Sequence, residues 1–160
     1  MPELEIRDAT EEDAPLILSL IRELAEYERL SHEVVATEKA LRDWLFGERR
    51  VAEVLLGYLG DDPAGFALFF HNFSTFLGKP GIYLEDLYVR PEFRGAGIGR
   101  ALLVHLANVA RERGFGRLEW SVLDWNEPAI GFYRSIGATP VSGWTVFRVS
   151  GEALEELAGL

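Results

Sequence analysis

The sequence predicts a mixed α/β domain in which helices pack around one β-sheet, and three observations support this fold class. First, 48% of the 160 residues are hydrophobic, which is enough for one sizeable core. Second, apolar residues recur with helical spacing in some segments and with strand-like alternation in others. Third, no repeat, low-complexity tract or Pro/Gly/Ser-rich linker divides the chain. We therefore expect a single domain over residues 1–160.

The first half of the chain predicts a strand, two helices and a hairpin. Residues 4–7 alternate between apolar and polar side chains, as a short strand does. Thr10 with an acid at position 13 resembles a capping box and predicts a helix, whose apolar stripe comprises Ile17, Leu20, Ile21, Leu24 and Tyr27. Thr37 can cap a second helix. Residues 51–59 and 65–73 are strand-like segments around an Asp-Asp-Pro turn, so they predict the hairpin.

The second half predicts alternating strands and helices. Residues 82–89 form a strand interrupted by two acids, and residues 90–97 form a loop. A helix should run from Ile98 to about residue 113 and stop at Gly114. A strand over residues 117–123, a helix from an Asn126 cap to residue 136, a strand over residues 145–149 and a short last helix complete the order. This order predicts a sandwich built around one sheet.

Composition excludes several classes of function. The formal net charge of −10 argues against nucleic acid as a partner, because binding to nucleic acid requires clustered Lys and Arg. The acidic balance favours a cationic substrate or serves only solubility. The chain has no Cys, which excludes disulfides and thiol nucleophiles, and its three His show no metal-ligand spacing. The sequence predicts no secretory signal, no membrane span, no metal site and a cytoplasmic location.

The segment Arg94-Gly95-Ala96-Gly97-Ile98-Gly99 is the strongest functional motif, because it lies between a predicted strand and a predicted helix. A helix N-terminus offers unpaired N–H groups, glycines let an anion approach the backbone, and an arginine binds phosphate oxygens. A P-loop would place Lys-Ser/Thr after the last glycine, and this chain has Arg100 and Ala101 there. A dinucleotide-binding fold would place its glycines directly after the strand, although Glu119 has the spacing of its acidic residue.

This segment also fits the CoA signature Arg/Gln-x-x-Gly-x-Gly/Ala, and almost the whole chain resembles the GNAT acetyltransferase superfamily. Matching stretches resemble its diamine (spermidine/spermine) and thialysine N-acetyltransferases: residues 6–7, 9–10, 23–25, 27–28, 37–38, 83–86, 125–126 and 132–133. Details at residues 74–75, 122–126 and 151–153 are closer to the thialysine type. The loop at residues 72–74 lacks the additional acid of polyamine acetyltransferases.

The resemblance implies a GNAT fold, with a mixed, mostly antiparallel central sheet flanked by helices on both faces. It also implies acetyl-CoA as donor, with CoA as product, and a homodimer. Tyr27, Glu28 and Glu85 would contact the amine. The positions implied to hold the cofactor are Leu87, Tyr88, Val89, Arg94, Gly95, Ala96, Gly97, Ile98, Gly99, Arg100, Asn126 and Tyr133.

The implied chemistry needs a base, because an alkyl ammonium has a pKa of about 10.4 and must lose a proton before its nitrogen can attack. It also needs an acid, which protonates the departing thiolate; the corresponding thiol has a pKa of about 8.5. Alternation cannot show which of Glu85 and Asp86 turns inward, and the resemblance favours Glu85 as the base. Tyr133 is either the proton donor or a core aromatic. A backbone N–H in residues 87–89 could stabilise the oxyanion if strand pairing breaks there.

The acceptor remains open at this level. The leading hypothesis is a small diamine, polyamine or lysine-like (thialysine) amine, which reacts by direct attack on the thioester. The alternatives are another amine acceptor (an amino acid, an aminoglycoside or a protein) and a catalytically silent acyl-CoA-binding module. Phenylalanines that belong either to a dimer surface or to the core are Phe69, Phe70, Phe73 and Phe76.

Overall fold

The computed structural model describes residues 2–160 and contains one five-stranded sheet. Its strands lie in the order of the sequence: β1 (Leu4–Asp8), β2 (Glu53–Leu59), β3 (Asp62–Ser74), β4 (Lys79–Val89) and β5 (Leu118–Trp120). Neighbouring strands are antiparallel except β4 and β5, which are parallel. The predicted hairpin and the mixed, mostly antiparallel sheet are therefore confirmed.

The described residues contain five α-helices: α1 (Ala14–Tyr27), α2 (Glu38–Phe46), α3 (Ile98–Glu112), α4 (Glu127–Ser135) and α5 (Gly151–Ala158). Short 3-10 turns lie at Glu11–Asp13, Ser31–Glu33 and Pro91–Phe93. The predicted caps are present. The Thr10 N–H donates to Asp13 Oδ2 at 2.8 Å, and the Thr37 hydroxyl oxygen accepts from the Ala40 N–H at 3.1 Å. Gly114 ends α3 with a φ of 73°.

Helices cover both faces of the sheet in the part of the chain that ends at Leu123. On one face α1 and α2 pack on the sheet in a core made of Ile17, Leu20, Leu24, Leu45, Val54, Leu56, Phe66 and Tyr88. On the other face α3 comes so close to β2 that a Cβ on Gly57 would lie 2.8 Å from Ile98 Cγ2. Leu102 and Leu106 of α3 are fully buried, as the helical stripe in the sequence predicted.

The chain divides into two compact units, one ending at Leu123 and one spanning Asp124–Leu160. The second unit contains α4 and α5, and the predicted strand over residues 145–149 is wrong: no strand forms there in the described structure. Val146 is 85% exposed and Phe147 is 90% exposed. The β-branched and aromatic residues of this segment fit a strand only when a neighbouring strand and a core receive them, and propensity alone does not supply these partners.

The four phenylalanines of β3 and the following turn divide between core and surface. Phe69 is 2% exposed and belongs to the core, and Phe70 is half buried. Phe73 is 58% exposed and Phe76 is fully exposed at the β3–β4 turn. Among the described residues, no helix has the length and apolar character needed to cross a membrane.

Candidate active site

The glycine-rich loop opens directly into α3, as predicted. Gly97 is the N-cap of the helix, and Gly95 and Gly97 have φ values of 86° and 82°, which only glycine adopts without strain. A Cβ at either glycine would have no neighbour within 4 Å, and residues 94–97 are exposed. The loop that leads into the first turn of α3 therefore borders open space. This arrangement fits a diphosphate group, which the helix N-terminus and Arg94 would hold.

Arg94 links this loop to the end of α1. Its Nε donates to the Val89 carbonyl oxygen at 3.2 Å, and its guanidinium carbon lies 5.0 Å from the centre of the Tyr27 ring. This distance is in the range of a cation–π contact. A residue predicted to hold the cofactor and a residue predicted to contact the substrate are thus neighbours.

Arg90 fixes the start of the loop, and sequence reasoning missed this role. Its Nε and Nη2 donate to the Glu23 carboxylate of α1 at 2.9–3.2 Å, and its Nη1 donates to the Pro63 carbonyl oxygen at 3.0 Å. The hydrogen bonds that Arg90 donates to the Glu23 carboxylate raise the pKa of the Arg90 guanidinium. One side chain therefore ties α1, the start of β3 and the end of β4 together.

A β-bulge interrupts β4 at Glu85. Phe69 pairs with Leu84 and Leu68 pairs with Asp86, so Glu85 is the extra residue. The interruption lies two residues before Leu87, the first residue of the stretch predicted to offer a backbone N–H to the oxyanion. On the opposite side of β4, β5 pairs only with residues 82–84.

Beyond Leu84, the β4 edge that faces away from β3 has no paired strand among the described residues. The backbone N–H of Arg90 donates to the Ala64 carbonyl oxygen at 2.8 Å, so the backbone groups of residue 90 point toward β3. By alternation, the backbone groups of Leu87 and Val89 point toward the open edge. They are therefore placed to hydrogen bond to an extended ligand along β4.

The expectation that Glu85 turns inward is wrong as to burial. Glu85 is exposed and Asp86 is half buried. Burial, followed by the charges of Glu85 and Glu28, raises the pKa of Asp86 from 3.8 to about 7. Glu28 is the C-cap of α1, and burial raises its pKa too. Three carboxyl groups thus share one region near Tyr27.

The remaining predicted residues lie in the second unit or on α3. Asn126 is buried, and its side-chain oxygen accepts from the Ala129 N–H at 3.4 Å as the cap of α4. Tyr133 lies on α4, half buried, with its ring centre 5.7 Å from that of Phe132. Arg100 is exposed in the first turn of α3. The catalytic role of Tyr133 stays a prediction.

An open strand edge, a bulge and a glycine-rich helix start fit an extended ligand that carries a diphosphate group. A family model described as the acetyltransferase (GNAT) family matches residues 17–138, and the chain belongs to this family. The enzyme is thus an N-acetyltransferase, and acetyl-CoA is the acetyl donor of GNAT enzymes.

Similar proteins cover nearly all of the chain. A thialysine N-epsilon-acetyltransferase of Bos taurus is 44% identical over 165 residues, which cover 96% of each protein. An L-ornithine N5-acetyltransferase of Arabidopsis thaliana is 34% identical, with 95% of this chain and 86% of that protein covered. An integron cassette protein structure from the mobile metagenome of V. cholerae has a TM-score of 0.81, 29% identity and 97% coverage of each chain.

Proposed function

We propose that this enzyme transfers the acetyl group of acetyl-CoA to the terminal primary amine of a small lysine-like or diamine acceptor, with thialysine as the leading candidate. The contact between Arg94 and Tyr27 carries the proposal, because it brings the pyrophosphate-binding loop beside a residue implied to bind the amine. Glu28 and Glu85 add the negative charge that an ammonium group requires. Polyamines are weaker candidates, because residues 72–74 lack an additional acid.

The similar proteins support the same acceptor class. The bovine relative is a thialysine acetyltransferase and the Arabidopsis relative acts on L-ornithine. Both names describe amino acids with a second, terminal amine. An acceptor of this shape presents one cation to the Glu28 and Glu85 carboxylates.

In the proposed reaction, Glu28 and Glu85 hold the ammonium group, and a carboxylate of β4 removes its proton. The groups that hold the cofactor are the open-edge backbone groups of Leu87 and Val89, the loop from Arg94 to Gly99 with Arg100, and Asn126 and Tyr133. The backbone of Tyr88, also predicted to contact the cofactor, faces β3 instead. Acetyl-CoA supplies a thioester that the free amine attacks directly. Tyr133 donates its phenolic proton to the departing thiolate.

An acceptor panel tests this function. Purified enzyme is incubated with acetyl-CoA and one amine, and the released thiol is measured. The panel contains thialysine, lysine, ornithine, spermidine, an aminoglycoside and a peptide with a free N-terminus. We expect the highest kcat/KM for thialysine or ornithine. A clear preference for the aminoglycoside or the peptide would replace the proposed acceptor, and binding of acetyl-CoA without thiol release would indicate a silent binding module.

Two variants test the assigned residues. Glu85→Gln removes a charge that holds the amine, and Tyr133→Phe removes the proton donor. We expect Tyr133→Phe to lower kcat by about 100-fold or more, because a positioned acid contributes about 10²–10⁴-fold. Both variants should lower turnover more than the affinity for acetyl-CoA, which calorimetry measures. Tyr58→Phe is the matched control, because Tyr58 lies beneath Arg7 with a ring-to-guanidinium distance of 4.0 Å, outside the proposed site.

Self-association is a separate part of the proposal. Phe73 near the end of β3 is 58% exposed, and Phe76 in the following turn is 100% exposed, so both present apolar rings to solvent. We propose that they contribute to a homodimer surface. Sedimentation of the wild type and of Phe76→Ser measures this, and a wild type that sediments as a monomer at all concentrations refutes it.

A further inference from the structure

Two adjacent carboxyl groups of β4, those of Glu85 and Asp86, have different surroundings. The bulge pairs Asp86 with Leu68, and two positions further along this face Phe66 pairs with Tyr88. Phe66 and Tyr88 belong to the core beneath α1 and α2, and Leu68 packs against that core. Asp86 therefore points to the apolar face of the sheet and is half buried, while Glu85 is exposed.

The surroundings of Asp86 contain negative charge and no compensating cation. In the described part of the chain, its side chain has no hydrogen bond or ion pair, and the charged groups that act on it are Glu85 on β4 and Glu28 at the end of α1. The residue opposite on β3 is the apolar Leu68. A carboxylate in such a place is costly unless a cation pairs with it. An alkyl ammonium is the cation that the proposed reaction brings.

We infer that Asp86, rather than Glu85, accepts the proton that the acceptor ammonium loses before its nitrogen attacks the thioester. The inference rests on the proposed function and deepens it by separating two roles. Glu85 and Glu28 hold the ammonium by charge, and Asp86 takes its proton.

The step balances as follows in atoms and electrons. The proton passes from the ammonium nitrogen to a carboxylate oxygen of Asp86. The freed lone pair forms the C–N bond to the acetyl carbonyl carbon, and the C–S bond breaks. The nitrogen then carries a second proton to lose, and it releases this proton to solvent as the neutral amide forms. The thiolate takes the phenolic proton of Tyr133. Asp86 then releases its proton to solvent, and the Tyr133 phenolate takes one from solvent.

The protonation behaviour of Asp86 suits this role. Its pKa is about 7, so near neutral pH a large fraction is ionised and able to accept a proton. A base is most effective when its pKa lies near the working pH. The two neighbouring carboxylates contribute to that value, so neutralising Glu85 should lower the pKa of Asp86.

The test is the pH dependence of kcat/KM in the wild type, Asp86→Asn and Glu85→Gln, measured by thiol release with the best acceptor of the panel. We expect the kcat/KM of the wild type to rise with pH, with the midpoint of the rise near pH 7. Asp86→Asn should lose this rise and about 100-fold or more of kcat/KM, with unchanged acetyl-CoA affinity in calorimetry. Glu85→Gln should keep the rise, shifted to lower pH, and should mainly raise the KM for the amine. Asp86→Glu, which retains a carboxyl group, should restore part of the rate and the rise.

Two controls keep the outcomes distinct. The first control uses two acceptor amines of different basicity. If an enzyme group causes the rise in kcat/KM, the midpoint pH is the same with both amines, and if the amine itself causes it, the midpoint differs. Melting curves show whether Asp86→Asn is folded. If Asp86→Asn keeps the rise and Glu85→Gln loses it, Glu85 is the proton acceptor, and the inference is overturned while the proposed function stands. If the wild type releases no thiol with any amine, the proposed function fails, and the role of Asp86 fails with it.

Discussion

Replacement of Asp86 by Asn should stabilise the protein, and the gain should grow with pH. In the folded chain burial and neighbouring carboxylates raise the pKa of Asp86 from 3.8 to about 7. Between these pH values the folded state binds more protons than the unfolded state, so the free energy of unfolding falls as pH rises through this window. Asn has the same shape and no proton to lose. The variant therefore escapes a penalty that the wild type carries at pH 8 and hardly carries at pH 4.

The size of the effect follows from the two pKa values. A difference from 3.8 to about 7 corresponds to a free energy on the order of 4 kcal/mol. Asp86 is half buried, so water screens part of this, and we expect a gain of about 2–4 kcal/mol at pH 8 relative to pH 4. For a chain of this size, each kcal/mol shifts Tm by about 2–4 °C. The advantage in Tm should therefore grow by about 4 °C or more.

Urea unfolding and melting curves at pH values from 4 to 8 measure this difference. Acid titration of groups distant from Asp86 affects both proteins equally, so only the difference between variant and wild type is interpreted. Glu85→Gln is the matched control, because it removes a carboxyl group that is exposed. It should stabilise the chain less, through the weaker repulsion of Asp86. If the free energy of unfolding changed with pH in the same way in the wild type and in Asp86→Asn, a half-buried, unpaired carboxyl group at position 86 would be refuted.

Three further perturbations address the frame of the site. Arg90→Met should lower the free energy of unfolding by about 1.5–3 kcal/mol in urea titrations, because it leaves a half-buried Glu23 without its ion-pair partner. A loss below about 0.5 kcal/mol would contradict the role of Arg90 in holding α1 against the end of β4. Gly65→Ala would place a Cβ 2.5 Å from the Tyr88 carbonyl oxygen, so it should destabilise the chain and weaken acetyl-CoA binding in calorimetry; wild-type behaviour in both would be contrary to this packing. In Gly95→Ala the new Cβ has open space around it, but residue 95 has a φ of 86°, which is strained for alanine. The variant should therefore lose about 1 kcal/mol of stability, and an increase in Tm would contradict this loop geometry.

Local signals explain why most elements were predictable. The caps Thr10, Thr37 and Asn126 each act on residues within the next turn, so their effect is visible in a short window of sequence. The glycine-rich loop is equally local, since its glycines and the first turn of α3 are contiguous. The spacing of the glycines therefore predicted where α3 begins, and this helix start fits a diphosphate group.

The parts that were missed depend on pairing between distant segments. Arg90 and Glu23 are separated by 67 positions, and neither carries a motif that indicates the other. The bulge at Glu85 depends on how β3 aligns with β4, and one extra residue reverses the facing of every side chain beyond it. For this reason the sequence could place two acids in one strand but could not show which is buried. The absent strand over residues 145–149 has a similar origin, because strand formers need a partner strand.

The charges of the proposed site predict that the cofactor and the acceptor affect each other's binding. The protein carries a net charge of −10, yet Arg94 and the N-terminus of α3 provide local positive charge for a diphosphate. The Arg94 guanidinium also lies 5.0 Å from the Tyr27 ring, next in sequence to Glu28, so an approaching ammonium meets a like charge. A bound diphosphate neutralises that charge and leaves the carboxylates to act on the amine. The amine should therefore bind more tightly to the CoA complex than to the free enzyme in calorimetry, and Arg94→Met should reduce this difference; equal affinity in both forms would show that the two sites are electrostatically independent.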